Sequence, residues 1–212
     1  MKVSVSFLSD HFKPVDVIKM VNNTNADYIH VDVMDGKFVD NKTYTLSDIE
    51  KLSNYMKKPM DVHLMVSNPK KYIEKLAILN VEYITFHYES VKNVKELIDL
   101  IHSYGLKAGI SVKPHTNASD IVDFIDIVDL VLVMSVEPGK SGQTFMNSVL
   151  YKIESLSRII SEKNLKTIIS VDGGINDETA TLVKEKGASM VVSASYLQCT
   201  DMNSRVDLLK NL

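Results

Sequence analysis

Residues 28–36 read YIHVDVMDG, an apolar run interrupted by polar residues at alternate positions. Side chains two residues apart share one face of a β-strand, so His30 and Asp32 point the same way. They do so near the end of the run, immediately before the MDG turn. The stretch therefore predicts a buried strand that carries an imidazole and a carboxylate near its carboxyl end.

Eight strand-like runs rich in β-branched residues occur along the 212-residue chain. They are Val3–Ser9, Tyr28–Val33, Met60–Val66, Tyr83–His87, Lys107–Val112, Leu130–Ser135, Thr167–Val171 and Met190–Ala194. Between them lie segments with apolar residues at three- and four-residue steps, for example Val15–Asn23, Pro69–Leu79, Val94–Tyr104, Met146–Lys163 and Glu178–Lys186.

This alternation, without a Pro-, Gly- or Ser-rich linker, predicts one α/β domain over residues 1–212, folded as a (β/α)8 TIM barrel. The near-continuous apolar strands agree with a sheet whose outer face is covered by helices. A doubly wound open sheet is the alternative. It would normally have a glycine-rich turn after its first strand, whereas this turn reads SDHFKP.

Composition restricts the possible partners. The formal net charge is -3, the Lys and Arg residues are scattered, and no stretch approaches ~18 uncharged apolar residues. We therefore expect no nucleic-acid partner and no membrane partner. The first residues lack the long apolar stretch of a signal peptide, and the single cysteine, Cys199, cannot form an internal disulfide, so we expect a cytoplasmic protein.

Four metal-competent side chains fall at or near the ends of predicted strands two, three and seven: His30, Asp32, His63 and Asp172. Singly, each has an ordinary structural explanation as a hydrogen-bonded core histidine, a helix N-cap or a turn residue. In a (β/α)8 barrel, however, chemistry sits at the carboxyl ends of the strands. Two imidazoles and two carboxylates there can hold a divalent metal, and the carboxylates can act as general base and general acid. Their convergence predicts metal-assisted proton transfer.

Six motifs follow one another along nearly the whole chain: SFLSxxF, HVDVMDGKFVxN, DVHLMVxxP, FHYES, VMSVEPGxSGQxF and VDGGINxxT. In this order they resemble the ribulose-phosphate 3-epimerase family. The resemblance implies one divalent metal ion (Zn, Fe, Mn or Co) held by the same four residues, and a small-molecule ketose phosphate as substrate. It implies that Asp32 and Asp172 are the two catalytic acid–base groups, acting through a metal-stabilised cis-enediolate. It also implies a homo-oligomer, a dimer or a hexamer.

The resemblance extends to a set of substrate-binding residues. Ser6 matches a serine that hydrogen-bonds substrate, three methionines match a cap over the metal, and the PGKSGQTF loop is interpreted as a mobile lid. Small residues near helix N-termini are candidates for phosphate binding through backbone N–H groups. The full set is Ser6, Met34, His63, Met65, Met134, Gly139, Ser141, Gly142, Gln143, Gly173, Gly174, Ala194 and Ser195.

Three further residues lie close to these motifs. Asp61 shares a strand face with His63 and is interpreted as a residue that orients it, with a structural carboxylate inside the barrel as an equal alternative. His87 and Glu89 match the family's HxE segment, and the sequence assigns them no defined role.

Several positions depart from the family pattern, and they fall in segments expected at the mouth of the site: Asp40, Lys113, Glu137, Lys140 and Ala194. D-allulose 6-phosphate therefore competes with D-ribulose 5-phosphate as the substrate. A decarboxylase or lyase of the same barrel group is a second hypothesis, but its Asp-x-Lys-x-x-Asp pattern is absent at strand three. A non-catalytic phosphosugar-binding protein is the third, and the intact metal-ligand set argues against it.

Overall fold

The computed structural model describes residues 1–8 and 12–212. In these residues, eight parallel strands form a closed barrel in chain order, which confirms the predicted (β/α)8 fold. The strands are β1 (Lys2–Ser6), β2 (Tyr28–Met34), β3 (Met60–Met65), β4 (Val81–His87), β5 (Lys107–Val112), β6 (Leu130–Met134), β7 (Ile168–Asp172) and β8 (Met190–Ser193).

Helices connect successive strands on the outside of the barrel. The α-helices are α1 (Pro14–Asn22), α2 (Leu46–Ser53), α3 (Lys70–Leu76), α4 (Val94–Ser103), α5 (Leu150–Glu162), α6 (Asp177–Glu185) and α7 (Met202–Asn211). Short 3-10 helices cover Tyr88–Ser90, Ala118–Phe124 and Asn147–Val149, and the second of these takes the place of an α-helix between β5 and β6. Within the described part of the chain, none of the helices combines the length and the apolar character needed to cross a lipid bilayer.

The predicted element ends differ from the observed ones by a few residues. β1 ends at Ser6, and Ser9, the predicted end, lies outside the described residues. β7 runs one residue further than predicted, because Asp172 still pairs with Met134 of β6 and Val192 of β8. The ladder therefore fixes the backbone of Asp172.

Each strand has an apolar outer face and a mixed inner face. The outward residues, such as Val31, Val62 and Ile110, are fully buried beneath the helices. Inside, one group of apolar side chains fills much of the barrel: Tyr28, Tyr83, Leu130, Leu132, Met134, Val136, Met190 and Val192. Burial of this apolar area stabilises the barrel, while β1 to β5 and β7 also carry buried polar side chains, among them His30, Asp32 and His63.

Two glycines shape the loop that follows β7. Gly173 and Gly174 have φ values of +120° and +63°, a region that side chains other than glycine rarely adopt. A Cβ at Gly174 would also lie 2.6 Å from the backbone nitrogen of Phe145, in the loop after β6. The two loops therefore pack backbone against backbone, and only glycine fits between them.

We expect Gly174→Ala to lower the free energy of unfolding by more than the ~1–2 kcal/mol that a left-handed conformation costs an alanine. Gly142→Ala is the matched control, because Gly142 has φ +73° but no atom lies within 4 Å of its added Cβ. Urea unfolding of both variants measures the difference. Equal losses of stability would contradict the packing argument.

Candidate metal centre and active site

The four predicted metal ligands meet at the carboxyl end of the barrel. One ligand atom from each of His30, Asp32, His63 and Asp172 lies within 4.8 Å of all the others. Asp32 Oδ1 is 3.3 Å from both His30 Nε2 and His63 Nδ1. Asp172 Oδ2, from the far side of the barrel, is 3.8 Å from His30 Nε2 and 3.7 Å from His63 Nδ1. Strands β2, β3 and β7 thus place four donor atoms around one point.

Asp61 orients His30, so the interpretation that it orients His63 is wrong. Asp61 Oδ2 lies 2.7 Å from His30 Nδ1 and accepts a hydrogen bond from Ser4 Oγ at 2.9 Å. The cause is the register of the sheet, which places Asp61 directly beside His30 on the neighbouring strand. His63 shares the face of Asp61 but stands two residues further on, roughly 6–7 Å along the strand.

The other nitrogen of His30 shows that a cation fits this cluster. His30 Nε2 is buried and makes no hydrogen bond within the described residues, although buried polar atoms are normally paired. Because Nδ1 faces the Asp61 carboxylate and therefore holds a proton, Nε2 is the nitrogen that faces the carboxylates of Asp32 and Asp172, and its lone pair binds a cation once this nitrogen is deprotonated. A cation between them satisfies all three groups. Two imidazoles and two carboxylates are suitable ligands for zinc, iron, manganese or cobalt.

The two carboxylates of the cluster differ in acidity. Burial opposes the charge of Asp32, but the neighbouring His30 outweighs it and holds the pKa of Asp32 far below its usual range. Burial and the adjacent Asp32 carboxylate raise the pKa of Asp172 to about 6. Burial likewise opposes the charge of His30, but Asp32 and Asp61 raise the pKa of His30 well above its ordinary value. Pairs of carboxyl groups whose pKa values are pushed apart are suited to divided acid and base roles.

A second hydrogen-bond chain leads away from the cluster through His63. His63 Nε2 lies 2.9 Å from His87 Nε2, and His87 Nδ1 lies 3.2 Å from Glu89 Oε2. Glu89 Oε1 in turn accepts from the Lys113 backbone N–H at 2.8 Å and from the Thr116 hydroxyl. Burial lowers the pKa of His87 to about 4, which keeps this imidazole neutral at pH 7. Sequence reasoning noted the HxE spacing of His87 and Glu89 but could not show that it continues the cluster.

A cavity of about 520 Å³ opens above the cluster. At the floor of this cavity, the Ser6 hydroxyl donates a hydrogen bond to Asp32 Oδ2 at 2.8 Å. The predicted residues that line it are Ser6, Asp32, Met34, Met65, Met134, Gly139, Ser141, Gly142, Gln143, Asp172, Gly173, Gly174, Ala194 and Ser195. His63, predicted to bind substrate, is fully buried below the floor and is not part of this lining.

Other lining residues were missed by the sequence analysis: Val136, Phe145, Asn176, Thr179, Val192 and Tyr196. Val192 could have been found, because it is one alternation before Ala194 on the inner face of the last strand. The others lie in loops or helix starts, where no periodic pattern indicates direction.

The sequence profile described as the ribulose-phosphate 3 epimerase family matches residues 2–198. The chain belongs to this family. It is 42% identical over 197 residues to the ribulose-phosphate 3-epimerase of Bacillus subtilis strain 168, covering 92% of this chain and 91% of that protein. It is 37% identical over 214 residues to the enzyme of the same name from Helicobacter pylori J99, covering 100% and 98%. The resemblance stated from the motifs is therefore confirmed.

Solved structures with low sequence identity share the barrel. The N-(5'-phosphoribosyl)anthranilate isomerase of Pyrococcus furiosus has a TM-score of 0.64 at 15% identity, covering 100% of this chain and 97% of that chain. The tryptophan synthase α-subunit of the same organism has a TM-score of 0.69 at 13% identity, covering 100% and 98%. At these identities the likeness establishes the fold alone.

The positions that the sequence analysis interpreted as departures from the family pattern line the cavity above the cluster and a neighbouring one. Glu137, Lys140 and Ala194 line the main cavity, and Lys140 is the one cationic side chain in that lining as far as the chain is described. A neighbouring cavity of about 320 Å³ is lined in part by Asp40 and Lys113, together with Glu137 and Lys140. The changes therefore lie at the mouth and leave the four-residue cluster intact.

One of these positions, Ala194, is accommodated in a simple way. Asn164 is the one non-glycine residue with a positive φ in residues 1–8 and 12–212, so Ala194 has a negative φ, which alanine adopts without strain. Next to Asp40, the Asn41 side chain donates from Nδ2 to the Gly139 carbonyl at 2.6 Å. This bond ties the loop after β2 to the loop after β6.

Proposed function

We propose that this member of the ribulose-phosphate 3-epimerase family is a metal-dependent isomerase that interconverts D-ribulose 5-phosphate and D-xylulose 5-phosphate. The observation that supports the proposal is that Asp32 and Asp172 lie with His30 and His63 in one cluster that could hold a divalent cation, and that both aspartates line the cavity. The family match and the names of the Bacillus subtilis and Helicobacter pylori relatives support the reaction and the substrate.

Inversion at the third carbon needs two proton carriers. In one direction, the ionised Asp32 takes the proton as the C–H bond breaks, and the electron pair moves toward the C2 carbonyl to give an enediolate. Asp172, whose pKa is raised to about 6, delivers a proton to the opposite face as the new C–H bond forms. In the reverse direction the two carboxyl groups exchange roles.

His30 through Nε2, His63 through Nδ1, and the carboxylates of Asp32 and Asp172 would hold the metal. When bound, a divalent cation supplies Lewis acidity toward the oxygens of the substrate. The Ser6 hydroxyl holds Asp32 in place by donating a hydrogen bond to Oδ2, the second oxygen of the Asp32 carboxylate. Zinc, iron, manganese and cobalt all suit this set of ligands, so metal analysis of the purified protein decides between them.

The remaining cavity residues have binding roles in this proposal. Met34, Met65 and Met134 are almost fully buried beside the carboxylates and exclude water from the reacting carbon. Gly173, Gly174, Ala194 and Ser195 bind the phosphate through backbone N–H groups near the start of α6. The loop around Gly139, Ser141, Gly142 and Gln143 closes over the bound sugar.

D-allulose 6-phosphate is the second candidate substrate, because Lys113, Glu137 and Lys140, interpreted as departures from the family pattern, line the cavity next to the proposed site. Parallel kinetics on both ketose phosphates test this. We expect kcat/KM to favour ribulose 5-phosphate by about 10-fold or more, the usual discrimination for a small difference in substrate size. A preference for the hexulose phosphate would reassign the substrate, and no turnover of either would support a non-catalytic sugar-phosphate binding protein.

Metal affinity is expected to fall as the pH is lowered, since ligands must lose their protons to bind a cation. His30, whose pKa is raised, takes up a proton first, and Asp172 follows below a pH of about 6. The affinity should therefore decrease by about one log unit per pH unit for each protonated ligand. Chelator competition between pH 8 and pH 5 measures it, and a flat profile would contradict the ligand assignment.

Two further predictions concern the setting of the enzyme. We propose a cytoplasmic location and a homo-oligomer, a dimer or a hexamer, with no nucleic-acid or membrane partner. Light scattering coupled to size-exclusion chromatography tests the assembly, and a monomeric mass at micromolar concentration would contradict it.

A further inference from the structure

We propose that His87 and Glu89 are positioning residues that hold His63 in the tautomer whose Nδ1 lone pair faces the four-residue cluster. The inference rests on the proposed metal site and extends it to two residues that do not line the cavity. It is carried by a directional chain of hydrogen bonds in which each donor and acceptor can be assigned.

The chain of hydrogen bonds starts at Glu89, whose partners define its carboxylate as an acceptor. Its Oε1 receives the Lys113 backbone N–H at 2.8 Å, and a backbone N–H can only donate. The Thr116 hydroxyl also reaches this oxygen. An ionised carboxylate has no proton to give, so the other oxygen, Oε2, must accept from His87 Nδ1 at 3.2 Å. The proton of His87 is thereby placed on Nδ1.

The proton position of His87 then decides which nitrogen of His63 is the hydrogen-bond donor. The His87 side chain is fully buried, so a second proton would place an unsolvated charge there; with its proton on Nδ1, His87 therefore has a lone pair on Nε2, and this atom lies 2.9 Å from His63 Nε2. One proton must lie between two imidazole nitrogens at this distance, so His63 Nε2 is the donor. The lone pair of His63 is left on Nδ1, 3.3 Å from Asp32 Oδ1 and 3.7 Å from Asp172 Oδ2.

Packing keeps this arrangement dry and rigid. The side chains of His63 and His87 are fully buried, and the His87 ring lies 5.0 Å from the His63 ring and 4.7 Å from the Phe38 ring. The Lys113 ammonium sits 4.5 Å from the centre of the Phe38 ring. The loop after β5 is thus connected to His63 through three contacts, namely Lys113–Phe38, Phe38–His87 and His87–His63.

The two histidines of the cluster present different nitrogens to the proposed metal site, so each needs a hydrogen-bond partner on its other nitrogen. His30 has Asp61 on Nδ1 and offers Nε2, whereas His63 has His87 on Nε2 and offers Nδ1. Groups that orient ligating histidines typically change metal affinity by about 10- to 100-fold when they are removed. His87 and Glu89 together serve His63 as Asp61 serves His30.

Glu89→Gln tests the inference with little change of shape. The carbonyl of the introduced glutamine can still accept from Lys113 and Thr116, which turns its NH2 group toward His87 Nδ1 and reverses the chain. His87 must then donate from Nε2, and the proton of His63 moves to Nδ1. We expect nitrogen-15 NMR of the metal-free protein to show the Nε2–H tautomer of His63 in the parent and the Nδ1–H tautomer in the variant. Cobalt(II) affinity should fall about 10- to 100-fold, with an altered visible spectrum.

Glu96→Gln, at an exposed carboxylate paired with Lys70, is the matched control and should leave both readouts unchanged. As a second pair, His87→Leu removes the acceptor and should lower cobalt(II) affinity, whereas His87→Gln supplies a carbonyl acceptor and should restore most of it.

An unchanged His63 tautomer in Glu89→Gln, or parental affinity in His87→Leu, would overturn the inference. If the parent epimerises its substrate while the variants bind cobalt(II) normally, only this inference fails. If the parent binds no metal, the proposed function fails, and the NMR result still decides the tautomer.

Discussion

Asp172→Asn is expected to lower kcat/KM for epimerisation by about 10²- to 10⁴-fold, the usual contribution of one acid–base group. An amide keeps the size of the side chain and can still offer an oxygen to a cation, but it cannot carry the proton to one face of the sugar. Because Asp172 pairs within the β6–β7–β8 ladder, the fold should persist. Circular dichroism and metal content check that the protein remains folded and loaded.

Solvent-deuterium exchange separates loss of the acid–base group from general damage. Asp32 remains in the Asp172→Asn variant, so one epimer should still exchange its C3 hydrogen with solvent while neither epimer is inverted. Asp123→Asn, at an exposed carboxylate outside the cavity, is the matched control and should epimerise at the parental rate. Turnover above a few per cent of the parent in Asp172→Asn would remove this residue from its proposed role.

Removal of the metal is expected to have an effect of similar size. Lewis-acid stabilisation is worth several kcal/mol, and each 1.36 kcal/mol is a factor of ten in rate, so chelation should lower activity about 10³-fold. A cation present at 100 times its Kd also adds about 2.7 kcal/mol to the stability of the folded state, so Tm should fall by several degrees on chelation. Addition of zinc, iron(II), manganese or cobalt should restore both the epimerase activity and the Tm.

Histidine substitutions link this effect to the cluster. His30→Gln removes the buried Nε2 that lacks a hydrogen-bond partner in the described residues, and the metals should then restore little activity. His102→Gln, at an exposed histidine paired with Asp129, should respond to chelation and metal addition as the parent does. Full activity after exhaustive chelation, with no metal detected by mass spectrometry, would refute the proposed metal dependence.

The sequence by itself determined the barrel and the identity of the four clustered residues. Strand alternation is local, so the spacing of His30 and Asp32 already places them on one face. In a (β/α)8 barrel, the carboxyl ends of all strands lie at one face, where active sites are found. His63 and Asp172, which are distant in sequence, are therefore predicted to lie near His30 and Asp32. Both inferences need only the order of the elements and the direction in which each strand runs.

Only the tertiary structure decided how these residues are connected. Asp61 contacts His30 rather than His63 because the register between β2 and β3 sets cross-strand neighbours, and alternation along one strand carries no information about register. The path from His63 through His87 to Glu89 likewise depends on the stagger of three strands and on a loop beyond them. Which nitrogen of each histidine faces the cluster follows from those contacts, since an imidazole has two nitrogens and its neighbours choose between them.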